Sequence, residues 1–151
     1  MHRVALERAD QPDIVALVDE LDAYQKPLYP PESHHGIDVA ALIRPNVVFA
    51  VARDDDQRAI GCGALVIEDA LGEVKRMFVR PSHRGRGVAK MLLAKLESEG
   101  AQHGCTTFAL ETGILQSDAL RFYERRGYAR CAPFGNYVAD PHSVFMCKRA
   151  S

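Results

Sequence analysis

The stretch of this chain with the clearest potential for chemistry is a glycine-rich turn. It reads Arg84-Gly85-Arg86-Gly87 and continues into Val88-Ala89-Lys90, where an amphipathic segment begins. Glycine tolerates positive φ angles and lets another molecule approach the backbone closely. The first N–H groups of a helix have no partner within the helix and lie at the positive end of its dipole. The turn therefore predicts an anion site, most naturally for a phosphate or pyrophosphate, with two arginines adding positive charge.

Two familiar phosphate-binding loops do not match this turn. The dinucleotide pattern Gly-x-Gly-x-x-Gly needs a third glycine where Lys90 stands, and no Gly-Lys-Ser/Thr of the Walker pattern follows the loop. Because many glycine-rich turns between strands and helices bind nothing, the turn alone leaves a purely structural role open.

Two sequence blocks together resemble the GNAT superfamily of N-acetyltransferases. Arg84-x-x-Gly87-x-Ala89 matches the Arg/Gln-x-x-Gly-x-Gly/Ala signature, and residues 119–128 (ALRFYERRGY) resemble the family's Ala-x-x-Leu/Phe-Tyr-x-x-x-Gly-Phe/Tyr segment. The resemblance implies an α+β (mixed α/β) fold over residues 1–151 as one domain. The expected sheet is mixed and mostly antiparallel, with a central parallel, splayed strand pair and helices on both faces.

The resemblance also implies a site for acetyl-coenzyme A (acetyl-CoA). The pyrophosphate would bind the N–H groups of the loop, namely Arg84, Gly85, Arg86, Gly87, Val88 and Ala89. The pantetheine arm would lie in the gap between the splayed strands, where a bulge near Met77, Phe78 and Val79 would free backbone groups to bind it. Gln116 stands where the family often has an asparagine that contacts this arm; glutamine keeps the amide but is longer.

Amine acetylation needs a group that takes the amine proton, a donor to the oxyanion and a proton for the leaving thiolate. The resemblance implies that the N–H of Val79 is the oxyanion donor and that Tyr123 points at the coenzyme sulfur as the acid; a core aromatic is the alternative for Tyr123. Glu73 resembles the catalytic glutamate of some histone-type members and is the leading base, with an ion pair to Lys75 or Arg76 as the alternative. Glu111 at the end of the next strand is the rival base, and a water chain is a third option.

The acceptor site is expected between two loops, residues 24–36 and 133–142. A thirteen-residue loop with two tyrosines and two histidines is unusual enough to suggest function. The residues proposed to contact a polar amine are Tyr29, Glu32, His34, Asn136 and Tyr137, with Asp140 and His142 nearby. Each of them is also typical of an ordinary loop.

These observations predict an acetyl-CoA-dependent N-acetyltransferase that transfers an acetyl group to the primary amine of a small molecule by direct attack on the thioester. One alternative is a protein N-terminal or lysine acetyltransferase, which an open peptide groove beside Glu73 would favour. An alternative of another class is a non-catalytic acyl-CoA-binding sensor module. No metal is expected.

Composition sets the broad class. The 151 residues are 47% hydrophobic and 26% charged, and a net charge of −1 argues against a nucleic-acid partner. No apolar run is long enough to cross a membrane, so a cytoplasmic location is expected, and a homodimer is left open. The four cysteines show no C-x-x-C pairing and are interpreted as small buried hydrophobes.

Periodicity predicts the element order β-α-α-β-β-β-α-β-α-β-β. Strands are expected at residues 3–7, 47–52, 59–67, 73–79, 107–111, 128–131 and 144–148. The first helix starts near Pro12 with Ile14, Leu17, Val18 and Leu21 as its buried stripe. A short helix is expected at residues 38–43. The helix after the glycine loop should bury Val88, Met91, Leu92 and Leu96, and the helix at residues 117–126 should end at Gly127 in the left-handed conformation.

Overall fold

The computed structural model describes residues 2–28 and 38–150, so the predicted acceptor residues Tyr29, Glu32 and His34 lie outside the described residues. The strands found there are β1 (Arg3–Leu6), β2 (Val47–Arg53), β3 (Ala59–Glu68), β4 (Leu71–Val79), β5 (Thr107–Gly113), β6 (Ala129–Arg130) and β7 (Ser143–Arg149). The helices are α1 (Pro12–Gln25), α2 (Val39–Leu42), α3 (Val88–Gln102) and α4 (Ser117–Arg125). The predicted order of helices and strands is confirmed, with short 3-10 turns added at Lys26–Leu28 and Pro81–His83.

The strands form one sheet in the order β1-β2-β3-β4-β5-β7-β6. Every neighbouring pair is antiparallel except β4 and β5, which are parallel. This mixed, mostly antiparallel sheet with a central parallel pair is the predicted architecture.

The parallel pair separates partway along its length. β4 and β5 are paired only from Leu71↔Thr107 to Val74↔Leu110, although β4 continues to Val79 and β5 to Gly113. We call the point just after Val74 and Leu110 the apex, and the space beyond it the gap. The predicted splay is thus confirmed.

A bulge lies on β4 just past the apex. Cys62 of β3 pairs with Phe78, whereas Ala64 pairs with Lys75, so β4 carries one extra residue between them. Arg76 takes a φ of 57°, in the left-handed region. The bulge was predicted one residue later, near Met77, Phe78 and Val79, and its position at Arg76 and Met77 agrees closely with that prediction.

The core lies on both faces of the sheet. On the α1 face, the stripe Ile14, Leu17, Val18 and Leu21 is buried as predicted. On the α3 face, Leu92 and Leu96 pack against the sheet. β2 contributes to the core on both faces, since Phe49 and Val51 face α1 while Ala50 and Ala52 face α3.

One position of the predicted α3 stripe is wrong. Val88, Leu92 and Leu96 are buried, but Met91 is 40% exposed and Leu93 is buried in its place. The helix lies so close to the sheet that a Cβ at Gly100 would be 2.6 Å from a ring carbon of Phe108. With 3.6 residues per turn, Leu93 lies about 60° from Leu96 around the helix and Met91 about 140° away, so Leu93 completes the face that approaches the sheet.

The interpretation of all four cysteines as buried hydrophobes is also wrong for two of them. Cys131 and Cys147 form a disulfide with a Cα–Cα distance of 6.0 Å. They are 16 residues apart in sequence, and the antiparallel pairing of β6 with β7 brings them together, which a search for C-x-x-C cannot detect. Cys62 and Cys105 are free and buried, as predicted.

Candidate active site

The glycine loop has the backbone conformation that the sequence predicts. Gly85 and Gly87 have φ angles of 77° and 78°, and Gly87 is the N-cap of α3 without any side chain capping the helix. A Cβ placed on either glycine would meet nothing within 4 Å, so the surface above the loop is open. The first turn of α3 contains no acidic residue. An anion approaching this helix start therefore meets backbone donors and no repelling carboxylate.

The arginines of the loop are placed differently from one another. The Nε of Arg84 donates to the backbone oxygen of Val79 at 2.9 Å, and its guanidinium lies 5.7 Å from the ring centres of both Tyr24 and Phe78. Arg86 is exposed beside the loop. The charge of Arg84 is thus fixed between the loop and the end of β4, whereas that of Arg86 faces solvent.

The backbone of Val79 is directed into the gap. The N–H of Arg80 donates to the oxygen of Ile60 at 2.8 Å, which makes these two residues a hydrogen-bonded pair of the β3–β4 ladder. Antiparallel ladders alternate, so Val79, opposite Gly61, points its N–H and C=O away from β3. That is the side from which β5 has separated, and it is where the predicted oxyanion donor must point.

Tyr123 is a core aromatic whose hydroxyl has no partner among the described residues. Its ring is buried in the α3-face core, 5.1 Å from Phe122 and 5.6 Å from Tyr128. Its hydroxyl makes no hydrogen bond to any residue that the structure describes. Among these residues only Arg126 Nε is a fully buried side-chain nitrogen or oxygen without a partner, so the Tyr123 hydroxyl keeps some contact with open space. Burial raises the pKa of Tyr123, so the phenol stays protonated at neutral pH.

Gln116 is turned back onto the end of β5. Its Oε1 accepts hydrogen bonds from the N–H of Gly113 at 3.0 Å and from the hydroxyl of Thr112 at 3.2 Å. This oxygen therefore joins β5 to the start of α4. Of the side-chain amide, only the nitrogen is left for the contact with the pantetheine arm that the sequence predicts.

A polar cluster lies at the apex, on the α1 face of β4. The hydroxyl of Tyr137 donates to Glu73 Oε2 at 2.5 Å, and Lys75 Nζ donates to the Tyr137 oxygen at 2.7 Å. Lys75 Nζ is also 3.3 Å from Glu73 Oε2. Of the two ion pairs considered for Glu73, the one with Lys75 is present, while Arg76 pairs with Asp22.

Tyr137 is held by aromatic neighbours. Its ring centre is 5.2 Å from that of Phe134 and 5.3 Å from that of Phe145. Burial, and then the hydrogen bond to Glu73, raises the pKa of Tyr137. The sequence predicted Tyr137 as an acceptor contact but gave no signal for its bond to Glu73, which is 64 residues away in the chain.

Glu111 belongs to the same neighbourhood. It follows Leu110, the last residue of β5 that pairs with β4, and its Oε2 accepts a hydrogen bond from Ser143 at 2.7 Å. Its charge contributes to the raised pKa of Tyr137, after burial and the bond to Glu73, so both carboxylates considered as bases act on one tyrosine.

A cavity of about 330 Å³ opens beside Glu73. Its lining residues are Val66, Glu68, Leu71, Glu73, Phe134, Gly135, Asn136, Tyr137 and Val138. It thus contains two predicted acceptor residues, Asn136 and Tyr137, but neither Asp140 nor His142. Its size is at the lower end of the range for small-molecule pockets, about 300–1,000 Å³.

Residues 14–128 match the acetyltransferase (GNAT) family, and the chain belongs to that family. It is 42% identical over 147 residues to a protein of Azospirillum brasilense named IAA acetyltransferase, covering 96% of this chain and 95% of that protein. It is 38% identical over 139 residues to the N-acetyltransferase YsnE of Bacillus subtilis, covering 90% and 91%.

Solved structures agree with this assignment. A protein of Klebsiella pneumoniae assigned as an acyl-CoA N-acyltransferase superposes with a TM-score of 0.85 at 35% identity, over 100% of this chain and 99% of that one. An aminoglycoside 6′-N-acetyltransferase complexed with coenzyme A shares the fold at 18% identity, with a TM-score of 0.75 and coverage of 99% and 97%. The protein is an acyltransferase with the predicted GNAT fold. No helix in residues 2–28 and 38–150 has the length and apolarity needed to cross a membrane.

Proposed function

We propose that this protein transfers an acetyl group from acetyl-CoA to the primary amine of a small molecule by direct attack on the thioester. The observation that carries the proposal is the course of β4. This strand borders the acceptor cavity at Leu71 and Glu73, passes the apex, presents its backbone to the gap at Val79 and ends just before the glycine loop.

The coenzyme follows that course in reverse. The pyrophosphate rests on the N–H groups of residues 84–89, and the pantetheine arm enters the gap along Met77, Phe78 and Val79, opposite the amide nitrogen of Gln116. The thioester then lies in the gap between Val79 and the apex, beyond which the cavity begins.

The acceptor arrives as a cation, because alkylamines titrate near 10. Glu73, or a water held by it, removes one proton, and the neutral nitrogen attacks the thioester carbon. The N–H of Val79 donates to the resulting oxyanion, and the C–S bond breaks as the intermediate collapses. Because burial raises the pKa of Tyr123, its O–H is present throughout as a donor to the leaving sulfur. Starting from the cation, the amine loses two protons: the first passes by way of Glu73 to solvent, and the second, lost as the amide forms, balances the one that the free thiol finally carries.

The cavity favours a small acceptor over a protein chain. A half-open space of about 330 Å³ lies beside Glu73, with the apolar side chains of Val66, Leu71 and Phe134 in its walls. Two carboxylates, Glu68 and Glu73, suit a cationic group attached to an apolar body. A relative from Salmonella typhimurium, 34% identical over 95 residues, is named aminoalkylphosphonate N-acetyltransferase, after a small amine.

The test is acyl transfer by the purified protein. Acetyl-CoA is mixed with a panel of small primary amines and, separately, with peptides that have a free N-terminus or a lysine. Release of free thiol and the mass of the product are followed. Acetylated small amines support the proposal. Acetylation of peptides alone would instead indicate a protein N-terminal or lysine acetyltransferase. Tight binding of acetyl-CoA without any product would indicate the sensor module.

A further inference from the structure

We propose that Tyr137 and Lys75 are positioning residues that clamp one oxygen of the Glu73 carboxylate and present the other oxygen to the acceptor amine. This inference rests on the proposed function, because it specifies how the base of that reaction is held. It also changes the role of Tyr137, which the sequence predicted as an acceptor contact.

The clamp is specific for one oxygen. Both the Tyr137 hydroxyl and Lys75 Nζ approach Oε2 of Glu73, at 2.5 and 3.3 Å. Within residues 2–28 and 38–150, Oε1 of Glu73 accepts no hydrogen bond. It is not among the fully buried atoms that lack a partner, and Glu73 lines the cavity. Oε1 is thus the carboxylate oxygen available to an acceptor.

A second cluster of the same residue types shows what a purely structural arrangement looks like. On the α3 face, the Tyr128 hydroxyl donates to Glu97 Oε2 at 2.7 Å, and Lys148 Nζ donates to Glu97 Oε1 at 2.9 Å. Both oxygens of Glu97 therefore accept a hydrogen bond from a side chain. At Glu73, by contrast, only Oε2 does so within the described part of the chain. The difference between the two clusters is this available oxygen of Glu73.

The clamp is itself rigid. Phe134 and Phe145 hold the ring of Tyr137 edge-on, and Lys75 Nζ lies 5.4 Å from its centre. Because burial and the Glu73 bond raise the pKa of Tyr137, it remains a hydrogen-bond donor and does not act as a base. A misplacement of about 1 Å in a reacting group can cost about 100-fold in rate, so the orientation of Glu73 is expected to matter.

The experiment is a double-mutant cycle on acetyl transfer to the best amine of the panel. We expect Tyr137→Phe to lower kcat by about 10- to 100-fold, with the KM for acetyl-CoA unchanged. Because Tyr137 acts through Glu73, the double variant Tyr137→Phe/Glu73→Gln should be no slower than Glu73→Gln alone. Lys75→Met should behave like Tyr137→Phe. Tyr128→Phe is the matched control: it also removes one buried hydroxyl from a carboxylate and should leave kcat unchanged.

Three results would overturn the clamp. In the first, the losses from Glu73→Gln and Tyr137→Phe multiply in the double variant. In the second, Tyr137→Phe raises only the KM for the amine, as a simple acceptor contact would. In the third, Tyr128→Phe loses as much kcat as Tyr137→Phe, which would indicate a general loss of packing. A wild-type protein that acetylates no amine would instead refute the proposed function, and the clamp with it.

Discussion

Replacing Gly87 by glutamate should weaken coenzyme binding strongly while the protein stays folded. Gly87 has a φ of 78° at the start of α3, and a Cβ there would touch nothing within 4 Å. The folded chain therefore has room for a side chain, and the fold loses only the backbone preference, about 1–2 kcal/mol. The added side chain would project into the space where the pyrophosphate is expected.

The magnitude follows from charge and distance. Two like charges 4 Å apart repel by about 4 kcal/mol at the effective dielectric constant of about 20 found near protein surfaces. Every 1.4 kcal/mol is about tenfold in affinity, so the loss should be about 10²- to 10³-fold. Part of this loss should disappear at high salt, because the site is exposed and its charges are screened.

Gly104→Glu is the matched control. Gly104 follows the other end of the same helix, has a φ of 89°, and a Cβ added there would also have nothing within 4 Å. It carries the same backbone strain and the same added charge, but it lies far from the loop. Calorimetry with coenzyme A should show a loss of binding only for Gly87→Glu. Urea unfolding should show both variants folded, with Gly104→Glu losing slightly more stability because its charge lies at the negative end of the helix dipole. Wild-type affinity in Gly87→Glu would refute the assignment of the loop.

Three further predictions concern the reaction and the disulfide. Tyr123→Phe keeps the ring contacts and removes the donor to sulfur, so turnover should fall by about 10²- to 10⁴-fold in a thiol-release assay while coenzyme affinity is retained; near wild-type turnover would leave Tyr123 as a core residue. Glu73→Gln should reduce turnover most at low pH, where more of the amine is protonated, with partial rescue at high pH; a loss confined to Glu111→Gln would move the base there. Reducing the Cys131–Cys147 disulfide, which closes a loop across 16 residues, should lower the free energy of unfolding by about 3 kcal/mol, and an unchanged urea midpoint would contradict this.

Most of the fold is encoded in local signals, which the sequence shows directly. The stripe from Ile14 to Leu21 has helical spacing, and the apolar run of β2 reflects a strand covered on both faces. The glycine loop is also a local signal. Its left-handed backbone positions leave few alternatives to glycine, so the sequence itself marks them. Gly127, with a φ of 95°, ends α4 as predicted.

The parts of the site that could not be predicted depend on contacts between distant segments. Nothing near Glu73 in the sequence indicates that Tyr137 will reach its carboxylate, because that contact requires the 132–142 segment to fold over β4. The disulfide has the same origin, in the register of β6 and β7. Gln116 could be identified by position, but the direction of its amide depends on where β5 ends.

The bulge in β4 explains how Glu73 can face the cavity while Val79, further along the same strand, packs in the α3-face core. Side chains alternate between the faces of a sheet, so a shift of one residue moves every later side chain to the opposite face. Before the bulge, Val74 packs on the α3 face while Glu73 faces the cavity. Without the extra residue, Val79 would share the face of Glu73; with it, Val79 packs in the α3-face core and Phe78 on the α1 face. The left-handed Arg76, tied to Asp22 of α1, is therefore the local distortion that lets β4 face the cavity with Glu73 and the α3-face core with Val79.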